Sequence, residues 1–317
     1  MEDLASLRAL RRTLARYGLA PRKELGQNFL VDANLREKIL RTVAPTPDEL
    51  VVEIGAGPGT LTMGLLARGG VVLAVEADPG LARILSDRLM PFADRAAVVV
   101  GNVLGLDLAG IAAGRGWAER PAVAVGNLPY YITTPCLFHL LGTRLPWRRM
   151  VFLVQREVAE RIVARPGGKD YGPLSVMVQY RARPQIAAVL PPGVFWPPPK
   201  VHSALIALDL PGRFTALPPA EERIFTGLVR AAFGQRRKTL ANACRAWTAG
   251  LDLREDFDAL CLRAGIDPGR RGEELSVEEF LGLARAIAAG LKEGAPGAAA
   301  GDQERKTRDA VHQPDQG

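Results

Sequence analysis

Short, largely apolar runs recur along the first half of the chain, and amphipathic stretches separate them. The runs lie at Val51–Ile54, Val71–Val75, Ala96–Val100, Ala122–Val125 and Met150–Val154. Runs of this kind are typical of buried parallel strands, which carry apolar residues on both faces. The helical patterns that alternate with them include Thr60–Arg68, Thr134–Gly142 and Glu157–Ala164. Strands that alternate with helices predict an α/β fold with a Rossmann-like sheet.

The pattern changes in the second half of the chain. Gln185–Leu190 and Val201–Leu210 predict two late strands that form a closing antiparallel hairpin. The prolines at 197–199 keep the connection between them extended. Beyond Pro211, helical segments continue to Leu291, which predicts a smaller all-α C-terminal domain.

These changes predict four parts: an extension at 1–21, the sheet domain at 22–211, the helical domain at 212–292 and a tail at 293–317. The extension has leucines at helical spacing and several arginines, so it reads as a basic helix that packs or touches RNA. A transit peptide is the alternative, but Glu2 and Asp3 argue against it. The tail is rich in Gly, Ala and charge without periodicity, which predicts disorder.

A glycine loop follows the first strand of the sheet. Gly55, Gly57 and Gly59 stand between Ile54 and the next helical pattern. Glycine lets the backbone approach a ligand closely, and a helix start presents unpaired N–H groups. Glu76 ends the next strand, about 20 residues beyond the loop, where a carboxylate can bind a ribose. Loop and carboxylate together predict a cofactor that contains a nucleoside.

The form of the loop favours S-adenosylmethionine over a dinucleotide. Its spacing is G-x-G-x-G with Pro58 inside, whereas the dinucleotide form places its third glycine one residue later, beside a pyrophosphate. S-Adenosylmethionine has no phosphate. Glu53, directly before the loop, is a poor neighbour for a phosphate but tolerates a methionine ammonium. At the end of the third strand, the side-chain amide of Asn102 is placed to bond the cofactor adenine.

The tetrad Asn127-Leu128-Pro129-Tyr130 follows the fourth strand, at the end where open α/β sheets bind ligands. It suits methyl transfer to the exocyclic amine of adenine, whose lone pair is delocalised into the ring. The Asn127 oxygen and a backbone carbonyl at Leu128 or Pro129 can accept hydrogen bonds from both N–H groups, and Tyr130 can stack an extruded base. A plain turn is the alternative. Together with the cofactor residues, the tetrad predicts an adenine N6-methyltransferase.

Five motifs follow one another along the chain: K-E-L-G-Q-N-F-L at 23–30, E-I-G-A-G-P-G at 53–59, N-L-P-Y-Y-I-T at 127–133, F-W-P-P-P-K-V at 195–201 and F-G-Q-R-R-K-T-L at 233–240. With these motifs, residues 22–290 closely resemble the 16S ribosomal RNA adenine N6,N6-dimethyltransferases. The resemblance implies a class I S-adenosylmethionine-dependent methyltransferase domain. It also implies dimethylation of two adjacent adenines near the 3′ end of 16S rRNA, and a role in small-subunit biogenesis.

The resemblance also implies roles for individual residues. The implied cofactor-binding residues are Asn28, Leu30, Gly55, Gly57, Glu76, Asn102 and Asn127. Tyr130 and Phe195 are placed to sandwich the flipped adenine. The family usually has Asp where Asn102 stands; the amide oxygen can still accept from the cofactor's amino group, but more weakly than a carboxylate. Asp107 is a substitute carboxylate that lies out of register.

Charge agrees with an RNA partner. The chain has 41 Lys and Arg against 34 Asp and Glu, a net charge of +7, which suits a polyanion. Arg236, Arg237 and Lys238, with Arg230 and Arg245, form the densest basic cluster, and we expect a helix to carry it against RNA phosphates. An ordinary solvated helix face is the alternative. We expect 16S rRNA in the immature 30S subunit as the partner and a monomeric enzyme.

Cysteines and histidines give no sign of a metal site. Cys136, Cys244 and Cys261 are far apart and show no metal-ligand spacing, and the three histidines are scattered. No apolar run has the length of a membrane span. We therefore expect an enzyme without a metal or a membrane anchor, in a reducing, cytoplasmic compartment.

Three other functions share parts of this pattern. The 23S rRNA adenine methylases of the antibiotic-resistance type share the cofactor loop and a similar tetrad, but Leu128 and the 233–240 motif favour the small-subunit branch. A non-catalytic assembly or transcription factor would not need Asn127, Glu76 and Gly55 intact. A DNA adenine methylase ordinarily carries an added target-recognition domain, for which this chain has little room.

Overall fold

The computed structural model describes residues 2–235 and 237–291. The strands of this part of the chain are short and lie mainly between residues 50 and 209. They are β1 (Phe29–Leu30), β2 (Leu50–Ile54), β3 (Val71–Glu76), β4 (Ala96–Val100), β5 (Ala122–Asn127), β6 (Trp147–Gln155), β7 (Arg183–Leu190), β8 (Phe195–Trp196) and β9 (Ser203–Asp209).

The α-helices alternate with the first strands and then follow one another without strands after residue 219. They are α1 (Leu7–Arg16), α2 (Ala33–Val43), α3 (Thr62–Leu66), α4 (Pro79–Leu89), α5 (Leu108–Ala113), α6 (Thr133–Gly142), α7 (Arg156–Val163), α8 (Pro173–Arg181), α9 (Pro219–Gly234), α10 (Leu240–Thr248), α11 (Phe257–Arg263) and α12 (Val277–Gly290).

The central sheet has seven strands in the order β4-β3-β2-β5-β6-β9-β7. The five strands β2 to β6 run parallel, with Leu50 opposite both Val71 and Ala122. β9 pairs antiparallel with both β6 and β7. The predicted parallel α/β sheet and the predicted antiparallel late pair are therefore confirmed.

The sheet core is apolar because its central strands are covered. Every residue of β2 and β3 is buried, as expected for parallel strands between packed layers. Ile39 and Leu40 of α2, Leu65 of α3 and Leu85 of α4 join these strands in one hydrophobic cluster. A rigid core thus supports the loops at the strand ends.

The chain divides into two compact units. The first comprises Met1–Ala164 and Val178–Phe214, and the second comprises Arg165–Met177 and Thr215–Gly317. The segment Arg165–Met177, which the sequence placed in the sheet domain, groups with the helical unit. The predicted domain limits at 211 and 212 stay predictions.

The second unit is helical and is built around α9 and α12. Phe225 and Leu228 of α9 and Phe280 of α12 are fully buried. Tyr171 joins this unit through its hydroxyl, which donates to the Leu275 carbonyl at 2.9 Å, and through an edge contact with the Phe233 ring at 6.0 Å between centroids. The predicted smaller all-α part is confirmed.

The N-terminal helix α1 packs on the first unit. Leu10 and Leu14 are buried in a cluster with Phe29 and with Leu81 of α4. The guanidinium of Arg11 lies 4.9 Å from the centre of the Trp196 ring. The prediction that this helix packs on the protein is confirmed, and the prediction that it contacts RNA stays a prediction.

Three further findings concern a membrane span, the C-terminal tail and helix α8. No helix in the described ranges is long and apolar enough to cross a membrane. The predicted disordered tail lies outside the described residues. Helix α8 was not predicted; Leu174, Ser175, Val176 and Val178 are all buried along it, so its apolar residues form no single stripe.

Candidate functional site

A cavity of about 290 Å³ lies where the carboxyl ends of β2, β3, β4 and β5 meet. Adjacent parallel strands bring their final residues to one edge of the sheet, where open α/β sheets bind ligands. The cavity is lined by all seven predicted cofactor residues: Asn28, Leu30, Gly55, Gly57, Glu76, Asn102 and Asn127. The structure therefore collects in one place residues that are up to 99 positions apart.

The glycine loop forms one wall of this cavity. Gly55, Gly57 and Gly59 have φ angles of 68°, 56° and 94°, which side chains other than glycine rarely adopt. The Gly57 N–H donates to Oε2 of Glu76 at 2.7 Å, so the loop is tied to the end of the next strand. A Cβ atom on Gly57 would lie 3.6 Å from the Phe29 ring. The loop thus presents bare backbone to the cavity.

Two buried carboxyl groups line the same wall. Oε1 of Glu76 accepts a hydrogen bond from the Asp78 N–H at 2.8 Å, yet burial raises the pKa of Glu76. Burial also raises the pKa of Glu53 to about 8, and the neighbouring Glu76 adds to the effect. Oε2 of Glu53 has no hydrogen-bond partner within the described chain. The cavity therefore has acceptor capacity that suits a ligand with hydroxyl or ammonium groups.

Residues 26–30, which precede the sheet in the chain, also line the cavity, and we call them the covering segment. Asn127 donates from Nδ2 to the Asn28 carbonyl at 2.6 Å, and Gln27 donates from Nε2 to Asp78 at 3.1 Å. β1 lies within this segment and pairs antiparallel with β8, with Leu30 opposite Phe195. The predicted tetrad and the first motif are thus parts of one site. Gln27 and Asp78 were not predicted as site residues.

The tetrad begins at the last residue of β5, where Asn127 lies opposite Leu153. The Leu128 side chain is 1% exposed, and its N–H donates to the Leu153 carbonyl at 3.2 Å. The Pro129 carbonyl accepts from Ile132 at 3.1 Å and from the Thr133 hydroxyl at 3.3 Å. The Leu128 carbonyl accepts no hydrogen bond from the residues that the structure describes. Of the two predicted backbone acceptors, Pro129 lines the cavity but its carbonyl is occupied, whereas the Leu128 carbonyl is unoccupied although Leu128 is not among the described residues that line the cavity.

The aromatic residues of the site are arranged differently from the predicted sandwich. The Tyr130 hydroxyl is hydrogen-bonded to Ser203 at 2.8 Å, and Phe195 is 3% exposed, packed in the sheet core near Leu30. Neither ring is among the described residues that line the cavity. Tyr131, which was not singled out, lines it and is 65% exposed. Stacking of a flipped adenine between Tyr130 and Phe195 stays a prediction.

Asn102 follows β4 and begins a 3₁₀ turn at Val103–Gly105. Its Oδ1 accepts from the Leu104 N–H at 3.1 Å. Asp107, the predicted substitute, accepts from the Gly110 N–H at 3.0 Å and caps α5 instead. Asp107 is not one of the described residues around the cavity.

The basic cluster is divided among three elements: Arg230 lies on α9, Arg245 lies on α10, and Arg237 and Lys238 lie on the connection between these helices. Arg237 and Lys238 are exposed there, and Thr239 caps the following helix by accepting from the Asn242 N–H at 3.4 Å. The expectation that a helix carries the cluster is wrong for Arg237 and Lys238, because α9 ends at Gly234 and α10 begins at Leu240, whereas it holds for Arg230 and Arg245. Arg236 lies outside the described residues.

The cysteines are buried thiols. Burial raises the pKa of Cys136, Cys244 and Cys261 to about 12 in each case, so they stay protonated at neutral pH. Among the residues that are described, no group of three or more His, Cys, Asp or Glu is placed to hold a metal ion.

Comparison with known proteins gives consistent matches over most of the chain. The family model described as ribosomal RNA adenine dimethylase matches residues 18–288. Ribosomal RNA small subunit methyltransferase A of Moorella thermoacetica is 45% identical over 87% of this chain and 96% of the relative. The protein of the same name from Geobacillus kaustophilus is 41% identical over 90% of this chain and 98% of the relative.

Two solved structures resemble most of the chain. A dimethyladenosine transferase from Plasmodium falciparum matches with a TM-score of 0.65 and 23% identity, over 80% of this chain and 94% of the other. The 23S rRNA methyltransferase ErmE matches with a TM-score of 0.61 and 25% identity, over 82% of this chain and all of the other. These likenesses confirm the predicted methyltransferase fold.

Proposed function

The chain belongs to the ribosomal RNA adenine dimethylase family, and we propose that it dimethylates N6 of two adjacent adenines near the 3′ end of 16S rRNA. The observation that carries this proposal is the position of the tetrad: Asn127 lines the cofactor cavity, and the carbonyl beside it, at Leu128, has no partner in the described chain. We further propose that the enzyme acts as a monomer on the immature 30S subunit.

The residues around the cavity fit S-adenosylmethionine. This cofactor supplies a methyl group on a positively charged sulfur, and Glu53 and Glu76 place two carboxyl groups in the cavity. Glu76 can accept from ribose hydroxyls with lone pairs that its two backbone donors leave over. Oε2 of Glu53 is a buried polar atom without a partner in the described chain, and a nearby ammonium group would favour the ionised, accepting form of this carboxyl. The bare backbone at Gly55 and Gly57 admits a ligand at close range.

The tetrad is suited to hold the target amine. Asn127 keeps its side-chain oxygen as an acceptor because its Nδ2 is the atom bonded to Asn28. The Leu128 carbonyl supplies the second acceptor. Two fixed acceptors orient both N–H groups of the amine and leave its lone pair toward the methyl group, so positioning and electrostatics supply the catalysis. No strong base is needed, since the methylated amine becomes acidic and loses its proton to water.

The first experiment identifies the substrate. The protein is incubated with labelled S-adenosylmethionine and, separately, with immature 30S subunits, naked 16S rRNA, 23S rRNA or duplex DNA. We expect labelled dimethyladenosine in 16S rRNA, at two adjacent positions. Label in 23S rRNA alone would instead assign the chain to the antibiotic-resistance type, and the absence of label in every arm would support a non-catalytic factor. Light scattering of the purified protein checks the monomeric state.

A pair of substitutions tests the role of Asn127. Asn127→Ala removes both the acceptor and the donor to Asn28, and we expect kcat to fall by about 10² to 10³. Asn127→Asp keeps an acceptor oxygen but loses the donor to Asn28. If methyl transfer needs only the acceptor, this variant keeps much of its kcat while its cofactor affinity falls. An active Asn127→Ala enzyme would contradict the proposed amine activation.

RNA contact by the basic cluster is tested through salt dependence. Replacing Arg236, Arg237 and Lys238 with Ala should weaken RNA binding and reduce the slope of log K against log salt by about 2 to 3. As a charge-matched control, Arg41, Arg83 and Arg115, which are exposed and lie outside both segments predicted to contact RNA, are replaced with Ala. An equal change in both triple variants would assign the effect to net charge rather than to a specific contact.

A further inference from the structure

The amide of Asn102 is oriented by a backbone hydrogen bond. Its Oδ1 accepts from the Leu104 N–H at 3.1 Å, and only an oxygen can fill that position, because the backbone group is a donor. The other amide atom is therefore Nδ2, which has two hydrogens to donate and no partner in the described ranges. Asn102 thus offers an unused donor at the cavity that it lines.

The order of the strands indicates which part of a cofactor this donor meets. The inference rests on the proposed function, which makes the ligand S-adenosylmethionine. β2, β3 and β4 are neighbours in the sheet, and they end at the glycine loop, at Glu76 and near Asn102, respectively. The cofactor is linear in the order amino acid, ribose, purine. With the amino acid at the loop and the ribose at Glu76, the purine lies at the end of β4.

We propose that Asn102 holds the purine by donating a hydrogen bond to a ring acceptor, so that this enzyme does not depend on the 6-amino group of its cofactor. Nδ2 cannot accept from an amine, whereas adenine ring nitrogens have lone pairs that accept from it. Asn102 is in this sense a specificity-determining residue of the cofactor site.

Aspartate at the same position would offer a hydrogen-bond acceptor to the cofactor where asparagine offers a donor. Aspartate also accepts from the N–H groups at the start of a helical turn, so the contact with Leu104 is retained. Its second oxygen is an acceptor and cannot donate when ionised. Asn102→Asp therefore replaces a donor by an acceptor of nearly the same shape, and Asn102→Ser keeps the cap without the second atom.

The experiment measures binding by calorimetry with no methyl transfer involved. The ligands are S-adenosyl-L-homocysteine and its analogue in which hydrogen replaces the 6-amino group. For the wild-type protein we expect Kd values within about threefold of each other. For Asn102→Asp we expect the 6-amino ligand to bind at least about tenfold more tightly than the analogue, because a charged acceptor makes a strong bond to the amine. For Asn102→Ser we expect little preference and weaker binding of both ligands than in the wild type.

The competing acceptor is the second lone pair of Oδ1. If it binds the 6-amino group, the wild-type protein prefers S-adenosyl-L-homocysteine by tenfold or more, and the proposal is overturned. Equal Kd ratios in wild type and Asn102→Asp also overturn it. Failure of the wild-type protein to bind either ligand would overturn the proposed cofactor as well, so the two failures are distinguishable.

Discussion

The buried carboxyl of Glu53 makes the stability of the cofactor-binding unit depend on pH. Glu53 is 1% exposed, and burial raises its pKa from 4.5 to about 8. Glu53→Gln replaces the protonated acid by a neutral group of the same shape. The variant therefore keeps the packing and removes the titratable group, so that it isolates the effect of ionisation on stability.

The sign and size of the change in unfolding free energy with pH follow from the linkage between proton binding and folding. Because the folded pKa is raised, the contribution of Glu53 to stability is fully present below pH 4.5 and is lost as the pH rises through 8. Between pH 5 and pH 9 this amounts to about 4 kcal/mol of lost unfolding free energy for the wild-type protein, as an order of magnitude. For a unit of this size that corresponds to roughly 10 °C in Tm.

The assay is thermal unfolding of the ligand-free protein, of Glu53→Gln and of a control at pH 5, 7 and 9, with the control and the wild type measured at pH 3 as well. We expect the Tm of the variant relative to the wild type to rise with pH by roughly 10 °C over this range. Glu49→Gln is the matched control: burial acts to raise the pKa of Glu49, but hydrogen bonds from Arg148 and Thr46 outweigh it and lower the pKa. That control should be less stable than the wild type at neutral pH and approach it as the pH falls below 4.5. A constant difference between Glu53→Gln and wild type across the range would refute the argument.

Two further predictions concern packing around the site. Gly126→Ala should cost about 1 to 3 kcal/mol, measured by urea unfolding, because the added Cβ would lie 2.3 Å from the Ile54 carbonyl oxygen of the neighbouring strand. Gly105→Ala, where nothing lies within 4 Å of the added Cβ, is the control and should leave stability nearly unchanged. Asp78→Ala should lower stability by about 1 kcal/mol through loss of the α4 cap. It should also raise the Kd for S-adenosyl-L-homocysteine, because Gln27 in the covering segment loses its partner. An unchanged Kd would show that this contact of the covering segment does not contribute to cofactor binding.

The sheet could be predicted from the sequence because its strands are locally encoded. Val71–Val75 and Ala122–Val125 are continuous apolar runs between polar turns, and their length and content of valine are typical of buried strands. The glycine spacing and the end of each strand then indicated which side chains meet. For this reason all the predicted cofactor residues line one cavity.

Other features depend on contacts that no local pattern encodes. α8 has buried residues all around it, so its sequence lacks the apolar stripe from which a helix is recognised. Whether Asn102 offers a hydrogen-bond donor or an acceptor to the cavity depends on which of its amide atoms is bonded to the Leu104 N–H. The raised pKa of Glu53 depends on burial by residues from several elements, and the choice of Leu128 over Pro129 depends on a turn that occupies the proline carbonyl.

The pairing of β1 with β8 has a consequence for the timing of biosynthesis. The covering segment is among the first parts of the chain to be made, but its strand partner, Phe195–Trp196, is made much later. Chains are synthesised from the N terminus, and contacts between distant residues form late in folding. A nascent chain that stops short of Trp196 therefore has the glycine loop, Glu76 and the contacts of Asn28 and Gln27 with Asn127 and Asp78, but it lacks the strand that pairs with the covering segment. We therefore expect cofactor binding to reach its full strength only once translation has passed this strand, so that the cofactor stabilises the nearly finished chain more than its early intermediates.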